Sequence, residues 1–298
     1  MYFECVPNFS EGCRPEVWER LAERARASGA RVLGAEGDCE HHRAVVTFTG
    51  GEEAIYQAVL AMADEALASI DLRRHRGLHP RMGAVDVVPV VPLGPTPMEA
   101  AVALAQRIGE GLARELGIPV YLYGEATANP AHRRLADARR GGFEGLLERM
   151  RHDPPDFGPA VPHPTAGATA VGARRILIAF NVYLATDDMG VARLIARKVR
   201  ESSGGLPGVQ ALAMDTRERG RVQVSMNLVN YPSTPLPQVF ARIRDLAAEL
   251  GVEVAESELV GLMPLQALLD TAREALRLPA LKPEQVIEHA IARWPWEK

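Results

Sequence analysis

The densest run of reactive side chains is Leu72 to Asp86, LRRHRGLHPRMGAVD, where two histidines and four arginines surround Gly77, Pro80 and Gly83. Pro80 disfavours helical geometry at the preceding residue, which steers His79 towards an extended or turn conformation. An imidazole held there can give or take a proton near neutrality, its unperturbed pKa being about 6.5. The arginines are suited to clamping carboxylates through paired N–H groups. On composition alone the same stretch also reads as a solvated basic loop with a structural histidine.

A second polar cluster, Asp38-Cys39-Glu40-His41-His42-Arg43, separates two strand-like runs. It holds five residues of metal-ligating type. Adjacent histidines on an extended chain point to opposite faces, however, and neither HExxH nor facial-triad spacing is present. A charged loop bordering a site is the expectation, without a metal. In Val6-Pro7-Asn8-Phe9-Ser10-Glu11-Gly12, Asn8 and Ser10 read either as turn and cap hydrogen bonders or, for Asn8, as a ligand-orienting amide. Gly167 to Gly172 lacks both the GK[ST] ending of a phosphate loop and the GxGxxG of a dinucleotide fold. Ser225 and Ser233 have no nucleophile-elbow context, and Cys5 reads as a small core hydrophobe.

The elements that position these residues follow one order twice. In the first half, Tyr2–Val6 reads as a strand and a helix opens at Pro15. Strands at Arg31–Ala35 and Arg43–Thr49 follow, then a helix from about Glu52. Val85–Val91 is a strand that Pro89 and Pro92 demote to an edge or bulged position. Thr96-Pro97-Met98-Glu99 reads as a capping box with Pro at the first helical position, opening a helix that stops at Gly117. Ile118–Tyr123 is a further buried strand. In the second half come a strand to Leu184, a helix from Asp187 and Asp188, and a hairpin of Gly208–Met214 with Val222–Val229. A helix Pro235–Leu250, a short strand near Val252 and a helix through Leu265, Leu268 and Leu269 complete it. Each half spells β-α-β-β-α-β, so the expected fold is α/β (α+β), two ferredoxin-like subdomains with helices on one face of each sheet. The boundary falls between residues 1–174 and 175–298. Asp153 to Gly172, with five prolines and three glycines, is read as an irregular ligand-lining loop.

Bulk composition narrows the field. Hydrophobic residues make up 47% and charged residues 24%, which excludes extended disorder, and a net charge of −4 gives no support to nucleic-acid or anionic-membrane binding. No apolar run reaches the ~18–20 residues of a membrane helix, and the start of the chain lacks a signal-peptide layout. Three cysteines, Cys5, Cys13 and Cys39, show no CxxC pair, so neither a disulfide framework nor a zinc knuckle is expected, and a reducing cytoplasm fits best.

Taken together the motifs resemble the formiminotransferase family. VPNFSEG from Val6, HPRMGAVD from His79, VPVVP from Val88 and IPVYLYGEA from Ile118 carry the likeness in the first half. PDFGPA from Pro155, GATAVGARRILIAFNVYL from Gly167, VQVSMNL from Val222 and LVGLMPLQALLD from Leu259 extend it, in order, to about residue 272. The resemblance implies transfer of the formimino group of N-formimino-L-glutamate to nitrogen 5 of tetrahydrofolate, a step in histidine degradation. Tetrahydrofolate is then a co-substrate, no metal is required, and the substrates sit in a cleft or tunnel between two ferredoxin-like halves of a cytoplasmic homodimer. The form expected is the stand-alone one, without a cyclodeaminase domain.

Carried over residue by residue, the resemblance implies His79 as the catalytic proton carrier with Asp38 and Arg81 beside it. Glu36 and Glu40 are alternatives for the assisting acid. The folate-lining stretch corresponds to Gly158, Pro159, Ala160, Val161, Pro162, His163, Pro164, Thr165, Ala166 and Gly167. Asn8, Glu40, Arg43 and Arg174 complete the implied substrate-binding set, the arginines as carboxylate anchors. The chemistry suits these types: one nitrogen of the tetrahedral adduct must lose a proton and the other gain one, which a single imidazole can do in turn. One departure stands out, since His42 occupies a position where the family has Asn. Rival readings are formyl transfer or 5-formyltetrahydrofolate metabolism on the same site, a non-catalytic folate-binding protein, and a metal-dependent amidine hydrolase on the histidine-rich loops.

Overall fold

The alternation of apolar and polar residues expected of half-buried strands, and the three-to-four-residue spacing of amphipathic helices, sort the chain into two α/β units, 1–175 and 176–298. The structure is a computed structural model and describes residues 1–39, 41–76, 80–216 and 220–292.

In the first unit, β1 (Phe3–Cys5) buries Phe3 and Cys5, breaks at Pro7 and resumes as β2 (Asn8–Phe9). Helix α1 (Pro15–Ala27) opens on Pro15 and buries Val17, Leu21 and Ala25. Strand β3 (Arg31–Asp38) pairs antiparallel with β4 (Arg43–Gly50), and α2 (Glu52–Ser69) buries Ile55, Val59, Met62 and Ala66. Next comes β5 (Val85–Pro92), which lies inside the sheet. It takes β1 and β2 on one side and a parallel strand on the other, so the expected edge position is corrected while the bulge is present between the Asn8 and Phe9 pairings. Pro7 and Pro89 fall where β1 ends and β2 begins, so two missing donors share one interruption of the ladder.

Helix α3 (Met98–Leu116) buries Leu104, Ile108 and Leu112 and stops at Gly117, whose left-handed φ of 65° is the C-terminal stop expected. The capping box does not form. Pro97 is the N-cap, and the Thr96 hydroxyl instead accepts from the Tyr2 amide (2.9 Å) and donates to the Tyr2 carbonyl (3.1 Å). After β6 (Val120–Gly124) come two short helices, α4 (Leu135–Ala138) and α5 (Gly142–Arg149). The proline-rich stretch then ends in a regular element after all. Strand β7 (Thr169–Ala173) is buried throughout and runs parallel between β5 and β6. The order β3-β4-(β1, β2)-β5 is ferredoxin-like, and β7 and β6 extend it. A second correction concerns the layers. Leu146 of α5 and Ala138 of α4 pack with Met82, Val87, Tyr121 and Ala170, so this end of the sheet is covered on the face opposite α1, α2 and α3.

The second unit follows its expected order: β8 (Ile178–Leu184), α6 (Met189–Val199), β9 (Val209–Thr216), β10 (Arg221–Leu228), α7 (Leu236–Glu249) and β11 (Val254–Val260). The Asp188 carboxylate caps α6 by accepting from the Gly190 amide at 2.7 Å. The sheet is antiparallel in the order β11-β8-β10-β9. Val182, Leu184, Ile195, Val224, Val239 and Ile243 form its core. Helices α8 (Leu265–Ala275) and α9 (Ile287–Ala292) follow. Among the described residues no helix is long and apolar enough to cross a membrane.

Candidate functional site

Asp86, at the start of β5, is the node on which the sequence-identified segments converge. It is fully buried. Its Oδ1 accepts from the amides of Met82 (2.6 Å) and Gly83 (3.2 Å), which folds the chain from Pro80 to Ala84 back over the carboxylate. Its Oδ2 accepts from Arg43 Nη1 on β4 (2.9 Å) and from Arg139 Nη1 just after α4 (2.7 Å). Burial alone would raise the Asp86 pKa, but the two guanidiniums and the Met82 amide outweigh it and hold the carboxyl below its ordinary value. Arg43 also donates through Nε to Asn8 Oδ1 (2.8 Å), while Asn8 Nδ2 donates to the Val6 carbonyl (2.8 Å). Asn8 therefore orients Arg43.

The same turn is pressed against the predicted folate-lining stretch. The Ala84 amide donates to the Ala166 carbonyl (2.9 Å) and the Ala168 amide to the Met82 carbonyl (3.2 Å). A Cβ on Gly83 would lie 2.1 Å from the Ala168 oxygen, and one on Gly167, at φ 69°, 2.1 Å from the Met82 oxygen, so both glycines are needed for this approach. His163 exchanges backbone hydrogen bonds with Gly167, and its Nδ1 accepts from the Ala166 amide (3.1 Å). Burial lowers its pKa. Gly158, Pro159, Ala160 and Val161 are exposed. Arg81, mostly covered, donates to Glu144 on α5 at 2.7 and 3.3 Å.

A second cluster lies beside the first. The His42 ring stacks on His75 (centroids 4.2 Å apart, 10° between planes). His42 Nδ1 donates to the Arg76 carbonyl (2.8 Å), and His75 Nε2 donates to the His42 carbonyl (3.0 Å). Among the described residues His75 Nδ1 is buried without a hydrogen-bond partner, and burial lowers the His75 pKa. His42 Nε2 faces Glu11 Oε1 at 3.2 Å. Glu11 also accepts from the Cys13 amide (2.9 Å), the Arg14 amide (3.1 Å) and Arg14 Nε (2.6 Å). Burial pushes its pKa up, yet these donors hold it below its ordinary value.

Asp38 stands apart from Asp86. Its carboxylate is half-exposed and accepts from the His41 amide (3.0 Å), with His41 Nδ1 at 2.7 Å. Cys13 and Cys39 form a disulfide, contrary to the sequence expectation, and Gly12 makes it possible: a Cβ there would lie 2.0 Å from the Asp38 oxygen. Arg174 follows β7 beside the far end of β5, its amide on the Val90 carbonyl (3.1 Å) and its guanidinium on the Arg175 carbonyl (2.9 Å) and near Tyr123. His79 and Glu40 lie outside the described residues. The residues that sequence reading passed over are Asp86, Arg139, Glu144 and Glu11. An acid embedded in the apolar run Met82–Val91 was the available signal for Asp86, whereas Arg139 and Glu144 lay in a stretch without motif.

The second unit carries two open cavities of about 500 and 540 Å³, on the surfaces of α7 and α6, and neither holds a sequence-identified site residue.

Residues 2–174 match the family described as the formiminotransferase domain, N-terminal subdomain, and residues 179–294 match the formiminotransferase domain. A glutamate formimidoyltransferase from Thermoplasma acidophilum is 42% identical over 295 residues, covering 97% of each chain. One from Streptococcus pyogenes serotype M1 is 40% identical over 278 residues, covering 92% of this chain and 93% of its own. The formimidoyltransferase-cyclodeaminase of Rattus norvegicus is 41% identical over 278 residues, which are 90% of this chain and 51% of that protein.

Proposed function

The chain belongs to the formiminotransferase family, and from that premise we propose that it is a glutamate formimidoyltransferase using tetrahydrofolate as co-substrate. The formimino group of N-formimino-L-glutamate passes to nitrogen 5 of the folate. Attack gives a tetrahedral adduct bearing an amine from each substrate, and His79 takes the proton from one nitrogen and returns it to the glutamate nitrogen as that amine leaves. Nothing in this step calls for a metal.

The observation that supports this assignment is the anchoring on both sides of residues 77–79. His75 and Arg76 are held by the His42 backbone carbonyl and ring. On the other side the Pro80 carbonyl accepts from Arg139 Nη1 (3.4 Å), and the Arg81 carbonyl from the Phe143 amide (2.9 Å). A general acid–base group gains most when its backbone is fixed, because positioning supplies more than proton transfer alone.

Charge supports the substrate class. Two guanidiniums, Arg43 and Arg139, converge on the Asp86 carboxylate in a buried network rich in cationic groups. Such a field favours a substrate ending in carboxylates. Arg81 is the direct anchor in this reading. Its partner Glu144 is largely exposed, so that pair is weak and a substrate carboxylate can replace it. Exposed Pro159, Ala160 and Val161 offer the pterin an apolar surface, with Gly158 to Gly167 as its lining. Asn8 serves by orienting Arg43, and Asp38 by setting the turn before His42. Arg174 remains a candidate for the distal carboxylate.

The test is turnover of purified protein with formimino-glutamate and tetrahydrofolate, read as glutamate release, with formyl-glutamate run in parallel. Glutamate release with formimino-glutamate as the better donor supports the proposal. Folate binding without release from either donor would instead identify a non-catalytic folate-binding protein.

A further inference from the structure

Glu11 and His42 meet in an arrangement that proton shuttling at His79 does not use. The Arg76 carbonyl fixes a hydrogen on His42 Nδ1, so in the neutral ring Nε2 carries a lone pair. That lone pair faces Glu11 Oε1 at 3.2 Å. Two acceptors face each other, and a positive centre must lie between them, either a proton or a metal cation. Cys13 supplies a third donor, its sulfur, the imidazole nitrogen and the carboxylate oxygen all lying within 4.8 Å of one another. Cys39, bonded to Cys13, stands outside that group, and its sulfur becomes a fourth donor by turning in once the bond is cleaved.

We propose that, once the Cys13–Cys39 disulfide is reduced, Cys13, Cys39, His42 and Glu11 form a tetrahedral site for a divalent cation of the zinc class. Bonds of about 2.0–2.2 Å to nitrogen and oxygen at a tetrahedral angle give an N···O edge of about 3.4 Å. The observed 3.2 Å already approaches it. Two thiolates on such an ion sit about 3.8 Å apart, a separation that cleavage of the disulfide permits. The surroundings are those of a ligand set. His42 donates its other ring N–H to a backbone carbonyl, the usual orienting contact of a metal-bound imidazole. Arg14 on Glu11 Oε2 offsets the negative excess of two thiolates and a carboxylate on a dication.

The electron balance is that of thiol exchange. A dithiol reductant is oxidised to its disulfide as Cys13 and Cys39 each gain a hydrogen. The two thiols then release two protons as the cation binds. In the oxidised chain Glu11 and His42 alone remain as donors, too few to hold the ion against water. The site is therefore gated by redox state and does not depend on the transferase reading.

Cobalt(II) is the probe, because tetrahedral thiolate coordination gives it a sulfur-to-metal charge-transfer band and intense visible absorption. The full-length chain is reduced, shown by thiol titration to hold three free thiols, and titrated with cobalt. The expected result is one cobalt per chain with that band, release of two protons, displacement by zinc, and no band in the disulfide form. Cys5→Ser should keep the band, Cys13→Ser should abolish it, and His42→Asn should weaken binding at least about tenfold. No charge-transfer band in the fully reduced wild-type chain overturns the proposal, as does a band that survives the Cys13→Ser/Cys39→Ser double substitution.

Discussion

Replacing Asp86 with Asn isolates the charge at the centre of the site while nearly conserving its shape. The native carboxylate is fully buried and accepts four N–H groups, two of them from guanidiniums on Arg43 and Arg139. Asparagine offers one oxygen instead of two and turns an NH2 donor towards donors. Both arginine side chains are largely covered, at 12% and 15% exposure, so water replaces little of what is lost. Breaking a buried pair by removing one partner costs about 3–5 kcal/mol, or roughly two to three and a half powers of ten in the folding equilibrium at about 1.4 kcal/mol each. Urea unfolding at neutral pH, followed by a signal from the first unit, measures it. Arg139→Met in the Asp86→Asn background should recover part of the loss, because the uncompensated charge is removed with it. The pH dependence has a definite sign. The folded pKa lies below the unfolded value of about 3.9, so this stabilisation is present above that value and is lost as pH falls through the folded pKa; the Asn variant should lack that part of the slope. A cost below about 1 kcal/mol, or strict additivity of the two substitutions, would refute the reasoning.

Three further outcomes follow from the same geometry. Glu144→Gln should free Arg81 and lower KM for formimino-glutamate by no more than about fivefold, with kcat unchanged; a raised KM contradicts Arg81 as carboxylate anchor. His163 is held neutral by burial, its folded pKa below the free value, so the 163–167 turn should lose stability as pH falls from about 6.5 through the folded value. Amide hydrogen exchange at Ala166 and Gly167 follows this directly, and exchange flat across that range refutes it. Gly83→Ala forces a methyl against the Ala168 carbonyl and should cost at least about 2 kcal/mol in urea unfolding. A neutral substitution there would mean the turn does not press on β7.

What the residues alone revealed tracks how local each cause is. The strands of the second unit and its capped helix α6 rest on period-two alternation, on Asp188 and on turn residues, all within a few positions of one another. Strand β7 was missed because TAVGA is short and built of small residues; what makes it a strand is parallel pairing with β5 and β6, far away in the sequence. Helices α4 and α5 are brief, and their cause is the apolar back of that sheet, Tyr121, Val87 and Ala170. Thr96 looked like a cap until Tyr2, 94 residues away, claimed its hydroxyl.

The site divides the same way. Motif residues Asn8, Arg43 and Arg81 were legible as polar groups in punctuated loops. The acid that organises them, Asp86, hid inside an apolar strand, and its second cation, Arg139, sat in a stretch without pattern. The disulfide was obscured by parity. Cys5 belongs to the core, and the remaining pair meets only because Gly12 lets two segments 26 residues apart touch.

Single-turnover release of glutamate by His79→Ala, set against the wild-type chain, tests the proposed chemistry most directly. We expect a fall of about 10²–10⁴-fold, with tetrahydrofolate still bound and an unchanged circular dichroism spectrum. Wild-type release by a correctly folded His79→Ala chain would contradict the histidine shuttle outright.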